Sequence, residues 1–197
     1  VLVATGSRYK RLGAAGEDDF IGAGIHFCAT CDGPFYKGQS VAVIGGGNSA
    51  AEESLFLVKF VENVTLLVRG DTLTASKVIQ EKTLNHPQID VRFNTGAGGK
   101  LKAVEIKDRK TGAVETIHPA GVFVFIGLTP NTSILKETSV EMNQWGFVMT
   151  GHDLVHDGRQ LPGFDEREPM FLETSMPGIF AAGEVRHRNT QPGAAPA

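Results

Sequence analysis

Between residues 41 and 93, short apolar runs alternate with segments of helical periodicity. Val41–Ile44 is a continuous apolar run that predicts a buried strand, and apolar positions at helical spacing predict a helix over Asn48–Phe60. Further strands are predicted at Val64–Val68 and Ile89–Phe93, with a helix over Thr74–Leu84 between them. This βαβαβ order is typical of a parallel sheet with helices on its faces.

After residue 93 the pattern becomes that of a β-meander. Leu101–Ile106 and Val114–Ile117 alternate between apolar and polar residues on either side of a turn-forming stretch, which predicts a hairpin. Val122–Ile126 is a third apolar strand. We therefore expect a fold of the α/β class in which a β-meander follows the parallel sheet.

Near the two ends of the sequence the patterns predict only short strands. Residues 1–5 form a brief β-rich run, and Ile179–Ala181 is a final short strand. Between them, residues 151–171 are rich in Gly, Pro and charge and predict a long loop, in which Asp165–Glu168 reads as solvated surface.

Composition excludes several classes of protein. Hydrophobic residues make up 41% of the chain and the formal net charge is −3, so the chain is globular and has no basic excess for nucleic acid or an anionic membrane. Its longest clean apolar run, Val122–Ile126, is far below the ~20 residues of a membrane span. Two cysteines exclude both a disulfide-rich scaffold and a zinc site of four thiolates.

A glycine-rich segment lies between the first predicted strand and helix. It fits the pattern G-x-G-x-x-A through Gly45, Gly46, Gly47, Asn48, Ser49 and Ala50. In that context the glycines allow a tight turn and close approach of a pyrophosphate, while the helix N-terminus supplies free N–H groups. The segment predicts a dinucleotide site, and a glycine-rich turn without a ligand is the alternative.

Cys28 and Cys31 form a C-x-x-C motif. Closing so short a loop contributes only about 1.9 kcal/mol in the chain-entropy model, against ~3 kcal/mol for fifteen residues, so a purely structural bridge is disfavoured and a reversible redox disulfide is predicted. Asp32 follows directly, either as a proton shuttle for the departing thiolate or as a simple helix-start residue. A zinc site including His26 is a weaker alternative because it lacks further ligands. No metal site is expected.

These motifs resemble those of the low-molecular-weight thioredoxin reductases. The resemblance rests first on residues 28–36, CATCDGPFY, and extends over nearly the whole chain in the family's order. The other matching segments are residues 41–53 (VAVIGGGNSAAEE), 122–127 (VFVFIG) with 130–132 (PNT), and 174–185 (TSMPGIFAAGEV).

The resemblance implies a Rossmann-like NAD(P)H-binding domain at residues 11–127 that carries the Cys pair. Residues 1–10 and 128–197 would then be partial segments of a second Rossmann-like domain that binds FAD. Electrons would pass from NADPH or NADH through FAD to the disulfide, with Cys31 facing the flavin, Cys28 attacking the disulfide of thioredoxin or a similar protein, and Asp32 as acid–base residue. The family further implies a cytoplasmic homodimer.

The resemblance also assigns cofactor-binding residues. Besides residues 45–50 they are Arg69, Ile126, Gly127, Gly183 and Glu184. Glu184 departs from the family, which has Asp in its Gly-Asp-Val motif.

Two further departures concern what the chain binds. Arg69 is the only arginine left of the group that grips the 2′-phosphate in the family, since Gly70 and Thr74 occupy two of the other positions. We therefore expect little preference for NADPH over NADH, with Asp71 as a possible partner of the ribose.

The family's N-terminal FAD segment is not found, so we expect a fragment that does not retain FAD by itself. The alternative function is a nicotinamide-nucleotide-binding module without redox competence, or a related reductase with another electron donor.

Overall fold

The computed structural model describes residues 1–98, 104–155 and 161–187. The chain divides into two compact units, and we describe each separately. The first is continuous, over Lys10–Gly127. The second combines Val1–Tyr9 with Leu128–Pro196.

The regular elements are short, apart from one helix of ten residues. In chain order the strands are β1 (Leu2–Val3), β2 (Ser7–Tyr9), β3 (Ile25–His26), β4 (Ser40–Ile44), β5 (Asn63–Leu67), β6 (Ile89–Arg92), β7 (Thr95–Gly98), β8 (Val104–Asp108), β9 (Val114–Ile117), β10 (Gly121–Val124), β11 (Leu128–Pro130) and β12 (Phe180–Ala181). The α-helices are α1 (Glu17–Phe20), α2 (Ala29–Asp32), α3 (Asn48–Leu57) and α4 (Lys77–Leu84). Single 3₁₀ turns lie at Gly33–Tyr36, Ser133–Leu135, Gly151–Asp153 and Gly183–Val185. In the described parts of the chain, no helix is long and apolar enough to cross a bilayer.

The continuous unit contains a five-stranded parallel sheet. Its strand order is β3-β10-β4-β5-β6, and every neighbouring pair is parallel. Helix α3 buries Ala50, Ala51 and Leu57 against one face, where Phe123 of β10 is fully buried as well. The opposite face is covered by a second apolar cluster that includes Val104 of β8. This is the Rossmann-like α/β architecture that the sequence predicted.

The β-meander differs from the prediction in its membership. Its three antiparallel strands are β7, β8 and β9, whereas β10 returns to the parallel sheet between β3 and β4. The predicted strand Leu101–Ile106 is described only from Val104 onward, and residues 101–103 lie outside the described residues. Helix α4 begins at Lys77, not Thr74, because Ser76 has an extended backbone (φ −60°, ψ 149°) and is the cap residue of the helix.

The discontinuous unit contains two short strand pairs. Strand β1 pairs in parallel with β12, Leu2 opposite Phe180, and β2 pairs antiparallel with β11. Its apolar cluster includes the fully buried Val148, Ala181 and Val185.

In the same unit, the loop after residue 160 is held by a buried carboxylate. Glu173 is fully buried and accepts two hydrogen bonds from the Arg167 guanidinium, at 2.6 and 2.8 Å, and one each from the backbone N–H groups of Met170 and Gly178. The guanidinium, more than the two backbone donors, lowers the Glu173 pKa to about 2. Arg167 lies in the stretch predicted to be solvated surface and is exposed as predicted, but its guanidinium also pairs with this buried carboxylate, a contact that the sequence did not predict.

Candidate redox and nucleotide site

The two cysteines lie at the start of α2 and are joined by a disulfide. Cys28 is the extended residue that caps the helix, and its Sγ accepts a hydrogen bond from the Cys31 N–H at 3.1 Å. The Cα atoms are 5.3 Å apart, and Cys31 is exposed whereas Cys28 is partly buried. The disulfide predicted from the C-x-x-C spacing is therefore present, with one sulfur-bearing residue open to solvent.

Asp32, the last residue of α2, is bound to a histidine on the neighbouring strand β3. Its Oδ2 lies 3.2 Å from Nδ1 of His26, and the other ring nitrogen, Nε2, lies 2.6 Å from the Tyr36 hydroxyl. His26 is only 7% exposed and Asp32 30%. The three side chains thus form a continuous hydrogen-bonded chain from the tyrosine to the residue beside the disulfide.

Aromatic packing holds this chain in place. The rings of His26 and Tyr36 both contact Phe123, with centroids 5.3 and 5.7 Å from it. Burial, and secondarily the nearby Asp32, raises the pKa of Tyr36 above its ordinary value, which keeps the hydroxyl protonated. Gly121 leaves room for this ring, since a Cβ there would lie 2.5 Å from Cζ of Tyr36.

The zinc alternative has no support in this geometry. Both sulfurs are in the disulfide, and both ring nitrogens of His26 face Asp32 and Tyr36. Within the described ranges, no group of three or more His, Cys, Asp and Glu side chains is arranged to hold a metal ion. Sequence patterns suggest only a metal-ligand role for His26 and no role for Tyr36, because the contacts among His26, Asp32 and Tyr36 join three different elements.

The glycine loop connects β4 to α3 as predicted. A Cβ on Gly45, whose φ is +149°, would lie 2.3 Å from Phe125 O and 2.8 Å from the Ala50 Cβ. Helix α3 begins with Gly47 as its cap and has no side-chain hydrogen bond there. A helix N-terminus without a side-chain cap is the kind of position at which anionic groups bind.

A second loop packs beside the glycine loop. Thr74 donates to Gly46 O through its backbone and its hydroxyl, and Ser76 N–H donates to Asn48 Oδ1 at 2.7 Å. Arg69 lies exposed at the start of this loop, just past β5, and in the described structure no hydrogen bond or ion pair engages it. The structure thus places Arg69 and residues 45–50 at the same edge of the sheet.

The remaining candidate residues lie in two different places. Ile126 and Gly127 follow β10 in the continuous unit, where Gly127 O accepts from the Lys10 N–H at 3.0 Å. Gly183 and Glu184 lie in the 3₁₀ turn after β12 in the discontinuous unit. Glu184 Oε2 accepts a hydrogen bond from the Ser7 hydroxyl at 2.9 Å.

Comparisons with known proteins agree over nearly the whole chain. Thioredoxin reductase of Treponema pallidum (strain Nichols) is 38% identical over 194 residues, which are 96% of this chain and 57% of that protein. Thioredoxin reductase of Pneumocystis jirovecii is 39% identical, over 95% of this chain and 54% of that protein. This chain therefore spans little more than half the length of these relatives.

Solved structures give the same picture. The crystal structure of Lactococcus lactis thioredoxin reductase matches with a TM-score of 0.75 at 30% identity, over 96% of this chain and 58% of that one. That of T. acidophilum thioredoxin reductase matches with a TM-score of 0.75 at 32% identity, over 98% of this chain and 60% of that one.

The profile of the family described as pyridine nucleotide-disulphide oxidoreductase matches residues 1–197. A disulfide beside a carboxylate and a strand–glycine loop–helix unit are both features that this family name leads one to expect. The chain belongs to the pyridine nucleotide-disulphide oxidoreductase family.

Proposed function

We propose that this chain acts in a thioredoxin-disulfide reductase, with Cys28–Cys31 as the redox centre. In the reaction, the reduced pair donates two electrons to a protein disulfide. Cys28 thiolate attacks one sulfur of the partner, forming a mixed disulfide and releasing the partner's second sulfur as a thiolate, to which Asp32 gives a proton. Cys31 then gives its proton to the Asp32 carboxylate and attacks Cys28 Sγ, which re-forms the Cys28–Cys31 bond. The partner's first sulfur leaves as a thiolate and takes a proton from solvent, so the partner is released as a dithiol.

The observation that carries this proposal is the disulfide at the start of α2 with Asp32 in the same helix. A bridge across four residues restrains the chain little, whereas exposure of Cys31 gives exchange partners access to the bond. The relatives named thioredoxin reductase support the same function and do not favour a nucleotide-binding module without a redox role.

The nicotinamide site is proposed at the carboxyl end of β4. The crowding around Gly45 and the uncapped start of α3 fit a pyrophosphate that approaches the backbone closely. Residues 45–50 would hold the pyrophosphate, and Arg69 the adenosine end of the nucleotide. Ile126 and Gly127, at the end of β10, would border the same site.

We assign the continuous unit to the nicotinamide domain, close to residues 11–127, and the stretches near 1–10 and 128–197 to a FAD domain. When bound, FAD would take two electrons from the nicotinamide and deliver them to the disulfide. The open space beside Gly183, where a Cβ would meet no atom within 4 Å, fits a ligand approaching that turn. Glu184 would contact the same ligand, and the hydrogen bond from the Ser7 hydroxyl to one of its carboxylate oxygens would hold the side chain in place.

The proposed partner is thioredoxin or a similar protein disulfide, reduced by a homodimer in the cytoplasm. Support for the partner comes from the names of the relatives, and support for the dimer and compartment from the family resemblance alone.

The test uses flavin-loaded protein carrying this chain, with thioredoxin and NADPH or NADH. Cys31→Ser is expected to abolish thioredoxin reduction. Reduction of the flavin by the nicotinamide nucleotide, monitored as loss of flavin absorbance, is expected to continue. A control change between the two cysteines, Thr30→Ser, keeps both thiols and is expected to preserve both steps. Thioredoxin turnover that survives Cys31→Ser would overturn the proposed function.

A further inference from the structure

The hydrogen-bonded chain Tyr36–His26–Asp32 is built from three elements and ends on the residue next to the disulfide. Strand β3 supplies His26, α2 supplies Asp32, and the 3₁₀ turn that follows α2 supplies Tyr36. The distances are 3.2 Å to Asp32 and 2.6 Å to Tyr36, and the imidazole between them is almost fully buried. Both nitrogens of this buried ring are therefore engaged.

The chemistry of the three groups fixes the direction of the hydrogen bonds. A neutral imidazole has one N–H donor and one acceptor nitrogen. If the Tyr36 hydroxyl donates to Nε2, Nδ1 carries the proton and donates to an Asp32 carboxylate. If Asp32 is protonated, its O–H donates to Nδ1, and Nε2–H donates to the Tyr36 oxygen. The same three side chains thus satisfy both protonation states of Asp32 without an unpaired polar atom.

We propose that His26 is a positioning residue of the redox centre, anchored by Tyr36, that holds the Asp32 carboxyl group in place for proton transfer to the departing thiolate. This inference rests on the proposed function, because it gives a role to the residue that orients the proposed acid. Removing the imidazole frees the Asp32 side chain to rotate, so proton transfer loses its fixed geometry.

No other charge is paired with these groups in the described residues. Phe123 of β10 covers the His26 and Tyr36 rings with an apolar surface. Helix α3 packs against α2 and carries the acidic residues Glu52 and Glu53, of which Glu53 has a buried, unpaired Oε2. These two carboxylates are the titratable groups of the helix that packs against α2. None of the variants below changes them, so their influence on Asp32 is the same in every protein compared.

The test follows reduction of the disulfide in the 197-residue chain by dithiothreitol, without flavin or nucleotide. A dithiothreitol thiolate attacks Cys28 Sγ, the Cys28–Cys31 bond breaks, and Cys31 leaves as a thiolate that takes the Asp32 proton. The second dithiothreitol thiol then loses its proton and displaces Cys28, giving oxidised dithiothreitol and a reduced Cys pair. Two electrons move from the reductant to the protein, and alkylation with mass detection counts the thiols formed.

The measured quantity is the second-order rate constant divided by the thiolate fraction of dithiothreitol, from pH 4.5 to 8. In the unmodified chain this quantity is expected to rise toward acid pH, because the protonated Asp32 assists the leaving thiolate by up to about a hundredfold. Asp32→Asn is expected to remove the rise. His26→Ala is expected to reduce it by about three- to tenfold, while His26→Asn, which keeps an amide N–H near the position of Nδ1, retains most of it.

Each outcome decides between the two proposals. If Asp32→Asn removes the acid rise and His26→Ala leaves it unchanged, His26 does not position the acid and only this inference is overturned. If Asp32→Asn changes nothing, the acid role of Asp32 fails and this inference fails with it, whereas the role of the Cys pair stands. Thermal unfolding of each variant, with the exposed His152→Ala as control, reports folding. If His26→Ala does not fold, Tyr36→Phe decides, with a two- to threefold smaller acid rise expected and an unchanged rise contradicting the inference.

Discussion

At the scale of single residues, glycines with positive φ are required for different reasons in this chain. Gly38 has a φ of +70° and its missing Cβ would meet nothing within 4 Å, so only its backbone conformation requires glycine. Gly45 adds a second requirement, because its missing Cβ would overlap Phe125 O. The strand-to-helix turn of the proposed nucleotide site therefore depends on an absent side chain for space as well as for conformation.

We predict that Gly45→Ala destabilises the continuous unit by about 1–3 kcal/mol more than Gly38→Ala does. Both substitutions put a side chain at positive φ, but only the first forces the backbone of Phe125, the residue after β10, away from the turn. Urea unfolding followed by far-ultraviolet circular dichroism measures the difference. Equal losses in the two variants would show that the contact with Phe125 O relaxes freely.

A second residue-scale prediction concerns nucleotide choice. Gly70 does not have a positive φ, and its Cβ would be in ordinary contact with Thr72 O at 3.6 Å and Thr72 N at 3.9 Å, so a long side chain fits there. Because a hydrogen bond to a charged group contributes about 1.5–3 kcal/mol, Gly70→Arg beside the free Arg69 is expected to tighten NADPH binding about ten- to hundredfold without changing that of NADH.

Titration of both nucleotides against the two proteins gives the measurement. Gly70→Gln, which adds length without charge, is the matched control and is expected to leave the NADPH to NADH ratio near that of the unmodified chain. A hundredfold preference for NADPH in the unmodified chain would contradict the expectation that Arg69 alone recognises the phosphate poorly.

The buried Glu173 predicts a pH dependence of stability. Its pKa is about 2 in the folded chain, below its ordinary value of 4.5, so its stabilising contribution is complete above pH 4.5 and is lost as pH falls toward 2. Glu173→Gln is therefore expected to lower the free energy of unfolding at pH 7 by about 1–3 kcal/mol. Between pH 5 and 3 the variant is expected to lose less of its unfolding free energy than the unmodified chain does.

Fluorescence of Trp145 makes this measurement specific. It is the only tryptophan of the chain and lies in the same unit as Glu173, so its signal follows unfolding of that unit. Parallel pH profiles in Glu173→Gln and the unmodified chain would show that another group carries the dependence.

Sequence patterns predicted the site residues that are close together in the chain. The Cys pair with Asp32, and the glycine loop with the start of α3, are each continuous segments whose chemistry depends on local spacing. His26 with Tyr36, and Arg167 with Glu173, could not be predicted because nothing in their spacing shows which polar groups the fold brings together. An otherwise apolar stretch around His26, near a redox motif, is the one signal that could have suggested a buried histidine.

At the scale of elements, the turn after α2 is fitted against the edge of β10. The Tyr36 ring occupies the space above Gly121, whose backbone pairs with Val41 of β4. The turn that carries the end of the hydrogen-bonded chain is therefore docked on a strand of the sheet.

Gly121→Ala is predicted to destabilise the unit by about 1–3 kcal/mol, because the new methyl group must displace the Tyr36 ring. In a Tyr36→Ala background the same change is expected to cost far less, since the ring is gone. The double-mutant cycle, measured by urea unfolding, isolates the contact. Additive effects in the cycle would show that the ring does not rest on Gly121.

The longer strands and helix α3 were predicted because they contain enough apolar residues to show a run or a periodic pattern. Strands β4, β5, β6 and β10 and helix α3 were predicted within a few residues of their ends, because each has either an apolar run or apolar residues at regular spacing. Strands such as β2, β3 and β11 contain two or three residues, which is too short for a periodic pattern. Pairing with distant strands creates them, so local sequence could not predict them.

At the scale of the whole molecule, the continuous unit begins and ends at neighbouring residues. Lys10 N–H donates to Gly127 O, so the chain enters and leaves this unit at one place. A segment with its own sheet, its own apolar clusters and adjacent ends meets the requirements of a domain that folds alone.

We predict that residues 10–127, produced separately, fold cooperatively and keep the Cys28–Cys31 disulfide and nucleotide binding. Circular dichroism, thiol counting before and after dithiothreitol, and nicotinamide nucleotide titration provide the measurements. A fragment that unfolds without cooperativity would show that residues outside 10–127 complete its core.

The pairing of β1 with β12 sets an order of events during protein synthesis. Leu2 lies opposite Phe180, so β1 is made early and must wait for 178 further residues before its partner exists. At about 5–20 residues per second, that delay is on the order of ten seconds or longer. The continuous unit emerges entirely within the interval and can complete its sheet on the ribosome. Strand β1 therefore has no partner until Phe180 has been made, whereas β2 can pair with β11 about fifty residues earlier, so Leu2–Val3 is the segment that a nascent-chain chaperone would bind.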